Sequence, residues 1–188
     1  MKGPAFLLAA IAALVGGCGR TTAPSATPLP SPAATGTVRT SYVIRAEATR
    51  GRPVTISNIV NGKPEYQLRA SSVVYATSLQ RGTFKDNTLL FYKGRQVRLT
   101  VTAPTATVNE ATHNVILSGG VVARTPQGDT LYADRMNYNA VTELLTGDGH
   151  VVVRDAQGNK LTGKHAIADL DMQQIRLFGD ITAKSAPH

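Results

Sequence analysis

From about Val38 onward, apolar residues alternate with polar ones in short runs. Turn-forming clusters interrupt them at Asn61-Gly62, Lys85-Asp86-Asn87, Lys93-Gly94, Pro126-Gln127-Gly128-Asp129 and Gln157-Gly158-Asn159. The runs between are β-branched, as at 97–101, 115–123 and 151–154, and no apolar repeat of 3.6 residues is sustained. Short alternating runs with frequent turns predict an all-β fold.

The alternation repeats on a larger scale. Four segments align: LRASSVVYA from Leu68, VTAPTATVN from Val101, LYADRMNYN from Leu131 and LTGKHAIAD from Leu161. Each opens on an aliphatic residue, with a small one two places on: Ala70, Ala103, Ala133 and Gly163. Apolar residues return five and seven places after the start, as Val73 and Tyr75, Ala106 and Val108, Met136 and Tyr138, Ala166 and Ala168. In a regular strand, positions 0 and 2 face one side and positions 5 and 7 the other. Both pairs reach one core only if the strand bends or bulges between them. A second element, Leu117-Ser118-Gly119, Leu145-Thr146-Gly147 and Leu177-Phe178-Gly179, follows polar turns at 109–114, 139–143 and 169–174. Each unit therefore reads strand, turn, strand. One unit cannot bury its apolar face alone, whereas stacked units share a continuous core.

The first residues follow another logic. Lys2 precedes an apolar run that ends in Val15-Gly16-Gly17-Cys18. Residues 5–17 are too short for a bilayer-spanning helix, which needs about 20 residues, and have the layout of an export signal. Small residues directly before a cysteine resemble the lipobox of bacterial lipoproteins. That resemblance implies a signal over residues 1–17, cleavage before Cys18 and lipid attachment to its sulfur. Two or more acyl chains would anchor the chain stably. Residues 18–37 are rich in Thr, Ala, Pro and Ser and read as a disordered tether. Residues 38–188 remain as the folded domain. Gly19 stands where an Asp commonly marks inner-membrane retention, so the cysteine's context leaves the membrane open.

Composition narrows the function classes. The chain of 188 residues carries 20 Lys and Arg against 12 Asp and Glu, a net charge of +8, which suits an anionic partner. Aromatic residues are few and scattered, against the stacking platforms that nucleic-acid binding uses. With one cysteine there is no intrachain disulfide. His113, His150, His165 and His188 have no acidic cluster at metal-ligand spacing. No nucleophile, base and oxyanion set converges, and no nucleotide-binding fingerprint occurs. The expectation is a non-enzymatic protein without cofactor or metal.

The opening GKPEYQLRA (62–70), then SGGVVARTPQGDTLYADRMNYN and GDGHVVVRDAQGNKLTGKHAIADLD, resemble the LptC family and its LptA/OstA-like relatives over about 50–184. The resemblance implies a single antiparallel β-jelly roll with an apolar groove for the acyl chains of lipopolysaccharide. It implies that the chain receives lipopolysaccharide from the LptB/LptF/LptG transporter and passes it to LptA in the periplasm, anchored to the inner membrane. Many LptC proteins carry a transmembrane helix where this chain has a lipobox. On this reading Leu68, Val101, Leu117, Leu131, Leu145, Leu161 and Leu177 line the groove, and Ala70, Ala103, Ala133 and Gly163 leave room for a guest chain. Arg95, Arg98, Arg124, Arg154 and Lys164 are candidates for lipid phosphates. Residues 53–59 and 174–183 would be open edges that stack on neighbours. Two alternatives stay open: an LptA-like soluble bridge protein, and a structural or adhesive envelope lipoprotein with a filled β core.

Overall fold

The computed structural model describes residues 43–49 and 51–186. Cys18, the signal at 1–17 and the tether at 18–37 lie outside the described residues, as does His188. Twelve antiparallel strands follow in order: β1 (Val43–Glu47), β2 (Val54–Val60), β3 (Lys63–Ala70), β4 (Ser72–Ala76), β5 (Arg81–Lys93), β6 (Gln96–Asn109), β7 (Val115–Arg124), β8 (Thr130–Asn139), β9 (Leu144–Arg154), β10 (Lys160–Asp169), β11 (Ile175–Phe178) and β12 (Thr182–Lys184). Among the described residues the one helical piece is a 3-10 turn at Thr77–Leu79, and no helix is long and apolar enough to cross a membrane.

The pairing divides every long strand into two parts. β5 pairs with β4 through residues 81–85 and with β3 through residues 88–91. β10 pairs with β12 through residues 160–162 and with β11 through residues 165–168. Between these parts the register slips in β6, β7, β8 and β10, between Thr102 and Thr105, Ser118 and Val121, Tyr132 and Arg135, and Gly163 and His165. These bulges are the bends that the shift from positions 0 and 2 to positions 5 and 7 demands. Two half-sheets result. Half-sheet A runs β1-β4-β5-β6-β7-β8-β9-β10-β11, and half-sheet B runs β2-β3-β5-β6-β7-β8-β9-β10-β12. Strands β5 to β10 belong to both and cross the fold line between them.

The fold line has its own chemistry. Pro104 sits at the β6 bend, where the ladder needs no donor. Gly119 and Gly120 take φ of 97° and 88° at the β7 bend, and Gly149 takes 98° in β9. These left-handed values suit glycine alone. Polar side chains replace ladder bonds lost there. Asn87 Nδ2 donates to the carbonyls of Phe84 and Ala103 at 3.1 and 3.3 Å, and the His150 backbone N–H donates to Asp134 Oδ2 at 3.1 Å.

Two sequence readings take a different local form. The first repeat is two strands, not one bent strand: the strand is interrupted at Ser71, whose N–H and hydroxyl both donate to the Lys85 carbonyl. The turn expected at Lys85-Asp86-Asn87 is a bend inside β5, with Asp86 at φ 50°. The hairpin turns at 109–114, 139–143 and 169–174 stand where the sequence puts them. Asn109, Asn139 and Asp169 each cap their turn with a side-chain oxygen that accepts backbone N–H groups.

The glycine geometry gives a direct test. Gly119→Ala would bring a Cβ to 3.1 Å from Pro104 Cγ, and Gly149→Ala would drive one into the Asp134 carboxylate, both at positive φ. Each should lose about 1–3 kcal/mol. A lowered urea midpoint at unchanged m-value is the expected readout.

Candidate functional site

The inward faces of the two half-sheets form facing apolar walls. On half-sheet B, Leu68, Leu89, Val101, Ala123, Leu131 and Val153 pair in register as one cross-strand row, which ends at Leu161 and Ala183. On half-sheet A the corresponding row runs through Phe84, Ala106, Leu117, Met136, Gly147 and Ala166 to Leu177. A second row on half-sheet A carries Val108, Val115, Tyr138, Leu145 and Ala168. The repeat's opening aliphatics thus lie on one wall, and the residues five and seven places later on the other.

Of the eleven residues expected to line the groove, eight are buried: Leu68, Ala70, Val101, Ala103, Leu117, Leu131, Ala133 and Leu145. Gly163 and Leu177 are half-buried, and Leu161 is 39% exposed. The small residues admit close neighbours in this conformation. Leu177 Cδ2 lies 3.2 Å from where a Gly163 side chain would begin, and Ala133 Cβ lies 3.2 Å from the same point at Gly147. The middle of the interior is therefore packed, and accessible apolar side chains stand mainly at the two ends, with Val141 and Leu144 exposed at the β8–β9 turn between them.

The N-terminal end holds a cleft of about 320 Å³ between the walls. Ile56 and Tyr66 contribute from half-sheet B, and Tyr75, Gly82, Phe84 and Val108 from half-sheet A. Only Tyr75 and Val108 carry the repeat pattern that could have flagged them. Gly82 matters because a Cβ there would stand 2.8 Å from the Phe84 ring. At the C-terminal end the exposed apolar side chains are Leu161, Phe178 and Ile181.

Along the side opposite the fold line, aromatic and polar contacts tie the walls together. Phe91 of half-sheet B packs on Tyr138 of half-sheet A at 4.6 Å between ring centroids, and Tyr66 meets Tyr138 edge-on at 6.1 Å. The Tyr138 hydroxyl donates to Glu65 at 2.7 Å, and the Tyr66 hydroxyl donates to the His113 carbonyl at 3.3 Å. A register slip between Phe91 and Tyr92 leaves Arg98 as the extra residue on β6. Its guanidinium reaches Glu143 at 3.0 Å and Asp171 at 3.9 Å, in turns of half-sheet A. Lys93 reaches Asp171 at 3.3 Å. Arg98, expected as a phosphate ligand, is thus an internal tie here. Arg95, Arg124 and Arg154 are exposed, and Lys164 pairs with Asp180 at 2.6 Å.

Two histidines pair with carboxylates on the outer surface. His150 Nδ1 lies 2.8 Å from Asp134, and His165 Nδ1 lies 2.7 Å from Asp148. The bond from His150 holds the Asp134 carboxyl below its usual range. Among the described residues no three potential ligands gather for a metal.

The buried tyrosines titrate late. Burial, with the neighbouring Glu65 charge, pushes the Tyr66 phenol up to about 12 from 10.0. Burial, the bond to Glu65 and the nearby carboxylates push Tyr138 in the same direction. A raised folded-state value favours the neutral phenol, so the stabilisation is complete below pH 10 and is lost as pH rises through 12. Absorbance at 295 nm should show these two phenols ionising together with loss of the β-sheet circular dichroism. Tyr138→Phe should remove one phenol from that late phase.

Comparison with known proteins agrees with this architecture. Among solved structures, the periplasmic protein LptH of Pseudomonas aeruginosa, described as the LptA-homologous component of the conserved lipopolysaccharide transport device, is similar with a TM-score of 0.53. Identity is 13%, over 65% of this chain and 95% of that one, so the likeness is one of fold. Among the curated proteins none matches. The family model for lipopolysaccharide assembly, LptC-related, matches residues 9–186. With nearly the whole chain matched, and with two bent half-sheets enclosing one apolar interior, the protein belongs to the LptC-related family of lipopolysaccharide assembly.

Proposed function

We propose that this protein is the membrane-anchored entry element of a lipopolysaccharide bridge. It receives lipopolysaccharide from the LptB/LptF/LptG transporter, holds the acyl chains between its walls and hands them to LptA. The observation that carries this reading is the unbroken apolar row on each wall, which ends at accessible surface on both sides of the domain. Family membership supports it from outside the geometry.

The packed middle sets the energetics. Each methylene moved from water to the interior contributes about 0.8 kcal/mol. Parting the walls first costs the side-chain contacts that already fill it. An acyl chain between the walls replaces apolar contact with apolar contact, so the closed and lipid-filled states can lie close in free energy. The closing ties are then few: two tyrosine hydroxyl bonds and the ion pairs of Arg98 and Lys93. The exposed Lys93 pair contributes about 0–1 kcal/mol, whereas the largely buried Arg98 guanidinium is the stronger tie, since losing its partners would leave a desolvated charge. The residues expected in the groove, Leu68, Ala70, Val101, Ala103, Leu117, Leu131, Ala133, Leu145, Leu161, Gly163 and Leu177, would become the lipid-facing surface. Ile56, Phe84 and Val108 would meet the chains at the N-terminal mouth.

One observation favours a second reading. Eight of the expected groove residues are buried by the protein's own side chains, as in an adhesive or structural lipoprotein with a filled core. Photo-crosslinking in cells separates the two. A benzophenone residue at Phe84, Leu131 or Leu145 should capture lipopolysaccharide if the walls carry lipid. Capture of protein alone at all three positions would favour the filled core.

Anchoring at Cys18 is part of the proposal. Growth with an alkyne fatty acid should label the chain, and Cys18→Ser should abolish the label and release the protein from the membrane fraction. Undiminished membrane association of the unlabelled Cys18→Ser chain would remove the lipid anchor from the reading.

A further inference from the structure

The outward face of half-sheet B brings two of the expected phosphate candidates, Arg124 and Arg154, into one row with two cations that the sequence reading did not single out, Lys160 and Lys184. Arg124, Thr130, Arg154, Lys160 and Lys184 are successive cross-strand partners on β7, β8, β9, β10 and β12. Side chains paired in register share a face. Four cations therefore stand in one row, with a single threonine among them. At a strand spacing of about 4.8 Å, the row is about 19 Å long. Its continuation toward the N-terminal end is neutral: Thr100, then Leu90, then Gln67. The cations thus occupy only the C-terminal part.

None of the four forms an ion pair with a described residue, whereas Lys93, Arg98 and Lys164 all do. Asp129 and Asp155, in the adjoining turns, spend their oxygens on the turns themselves. Asp129 accepts from Ala156 N–H and the Thr125 hydroxyl. Asp155 accepts from Gln157 N–H and from the backbone and side chain of Asn159. Like charges opposite one another destabilise a sheet, so the row costs folding free energy that an anionic partner would return.

A second, independent observation gives that partner a shape. Beside the row, the outer face is hollowed into a concavity of about 770 Å³, with Arg124 in its wall. Thr100, Thr102, Thr125 and Tyr132 also line it. Val122, Pro126 and the Tyr132 ring complete the lining and offer apolar surface to the C–H face of a sugar ring, while the Thr100 and Thr102 hydroxyls and the Arg124 guanidinium suit an anion on that ring, since guanidinium matches phosphate in two parallel bonds. A bilayer surface is convex or flat at this scale and would not enter the hollow.

Position supplies the third step. Arg124 ends β7, Arg154 ends β9, Lys160 begins β10 and Lys184 ends β12. The row therefore stands at the free rim of half-sheet B. Ala123, Val153, Leu161 and Ala183, each one residue away along the chain, belong to the apolar inner row of that wall. One rim thus has an apolar face inside and a cationic face outside.

We propose that this rim is a headgroup rail, at which the phosphorylated saccharide of the carried glycolipid folds over the edge. Its phosphates meet Arg124, Arg154, Lys160 and Lys184, and a sugar ring sits in the hollow beside Tyr132. This rests on the lipid-carrying reading above and adds a subsite for the polar half of the cargo. Because the row crosses five strands, a phosphate can pass from one cation to the next along the domain.

The test uses the full chain and a delipidated, phosphorylated core oligosaccharide as probe, in a calorimetric titration at low and high salt. Binding should weaken at least tenfold when the probe is treated with phosphatase, and should weaken as salt rises. Combined Arg124→Gln, Arg154→Gln, Lys160→Gln and Lys184→Gln substitutions should weaken it at least as much, with the unfolding midpoint unchanged or raised as repulsion is relieved. The phosphatase arm stands even if that variant folds poorly. Equal affinity for the treated and untreated probe, or no binding at millimolar concentration, overturns the rail. Row-dependent binding to phosphatidylglycerol vesicles, with none to the oligosaccharide, overturns it in favour of bilayer docking. Persisting lipid crosslinks at Phe84 beside a null titration would remove the rail and leave the transport reading standing; loss of both would remove that reading as well.

Discussion

The fold depends on one constraint: each long strand must turn its side-chain alternation over once, at a fixed place, so that both of its ends face the same interior. A strand without that interruption would bury positions 0 and 2 and expose positions 5 and 7, and a two-walled interior would not close. Five devices meet the requirement along the fold line. They are a strand interruption at Ser71, left-handed Asp86 in β5, Pro104 in β6, paired glycines in β7, and the Asp134–His150 contact that joins the bends of β8 and β9. Because the bends align across neighbouring strands, half-sheets A and B separate cleanly and each wall extends over the whole length of the domain.

Much of this was legible in the repeats. The phase shift within VTAPTATVN, LYADRMNYN and LTGKHAIAD announces a bulge, because alternation with period 2 has no other way to return apolar residues to one core. Asn109, Asn139 and Asp169 announce the turns through side-chain acceptors that act locally. The closure of the walls was not legible. Glu65 and Tyr138 are 73 positions apart and Lys93 and Asp171 are 78 apart, and no local pattern pairs them. The turn of Arg98 toward the interior ties follows from a bulge at Tyr92 that no turn residue marks. The N-terminal mouth was missed for a related reason. Ile56 and Phe84 lie on β2 and β5, outside the aligned repeat segments, and they meet the cleft only through cross-strand register.

The closed middle and the accessible ends belong together. A groove for acyl chains that stood open in water would expose apolar surface continuously, at about 25 cal/mol for each Å², and would invite aggregation. Packing the walls on each other removes that cost while keeping the inner rows apolar, with Asn87 a buried polar exception at the fold line. What holds them shut opposite the fold line is chemically different from what fills them: hydroxyl bonds and ion pairs at the rim, hydrocarbon within. Rim contacts of that kind are directional and can be exchanged for others, whereas the interior is indifferent to whether its apolar partner is leucine or a fatty acyl chain. A wall-parting protein would need this separation of roles, and the sequence provides it by keeping charge off the inner rows, on outward strand positions, strand ends and turns.

The two ends raise a last point about edges. β1 and β2 close neither half-sheet, since each is paired on one side only among the described residues, and the same holds for β11 and β12. Exposed apolar side chains accompany these edges, with Val43, Ile44, Ile59 and Val60 at one end and Phe178 and Ile181 at the other. Soluble sheets usually blunt such edges with inward charges, prolines or covering loops. Here Arg45 and Glu47 punctuate β1 and Lys184 ends β12, but among the described residues the outer backbone of each edge strand has no ladder partner. Were unlike edges to pair, the contact would be heterologous and would build an open chain of domains instead of a closed dimer. In that arrangement the apolar rows of successive domains would run on into one another. The edges that a solitary domain would have to conceal would then be the feature that lets one short groove become part of a longer one.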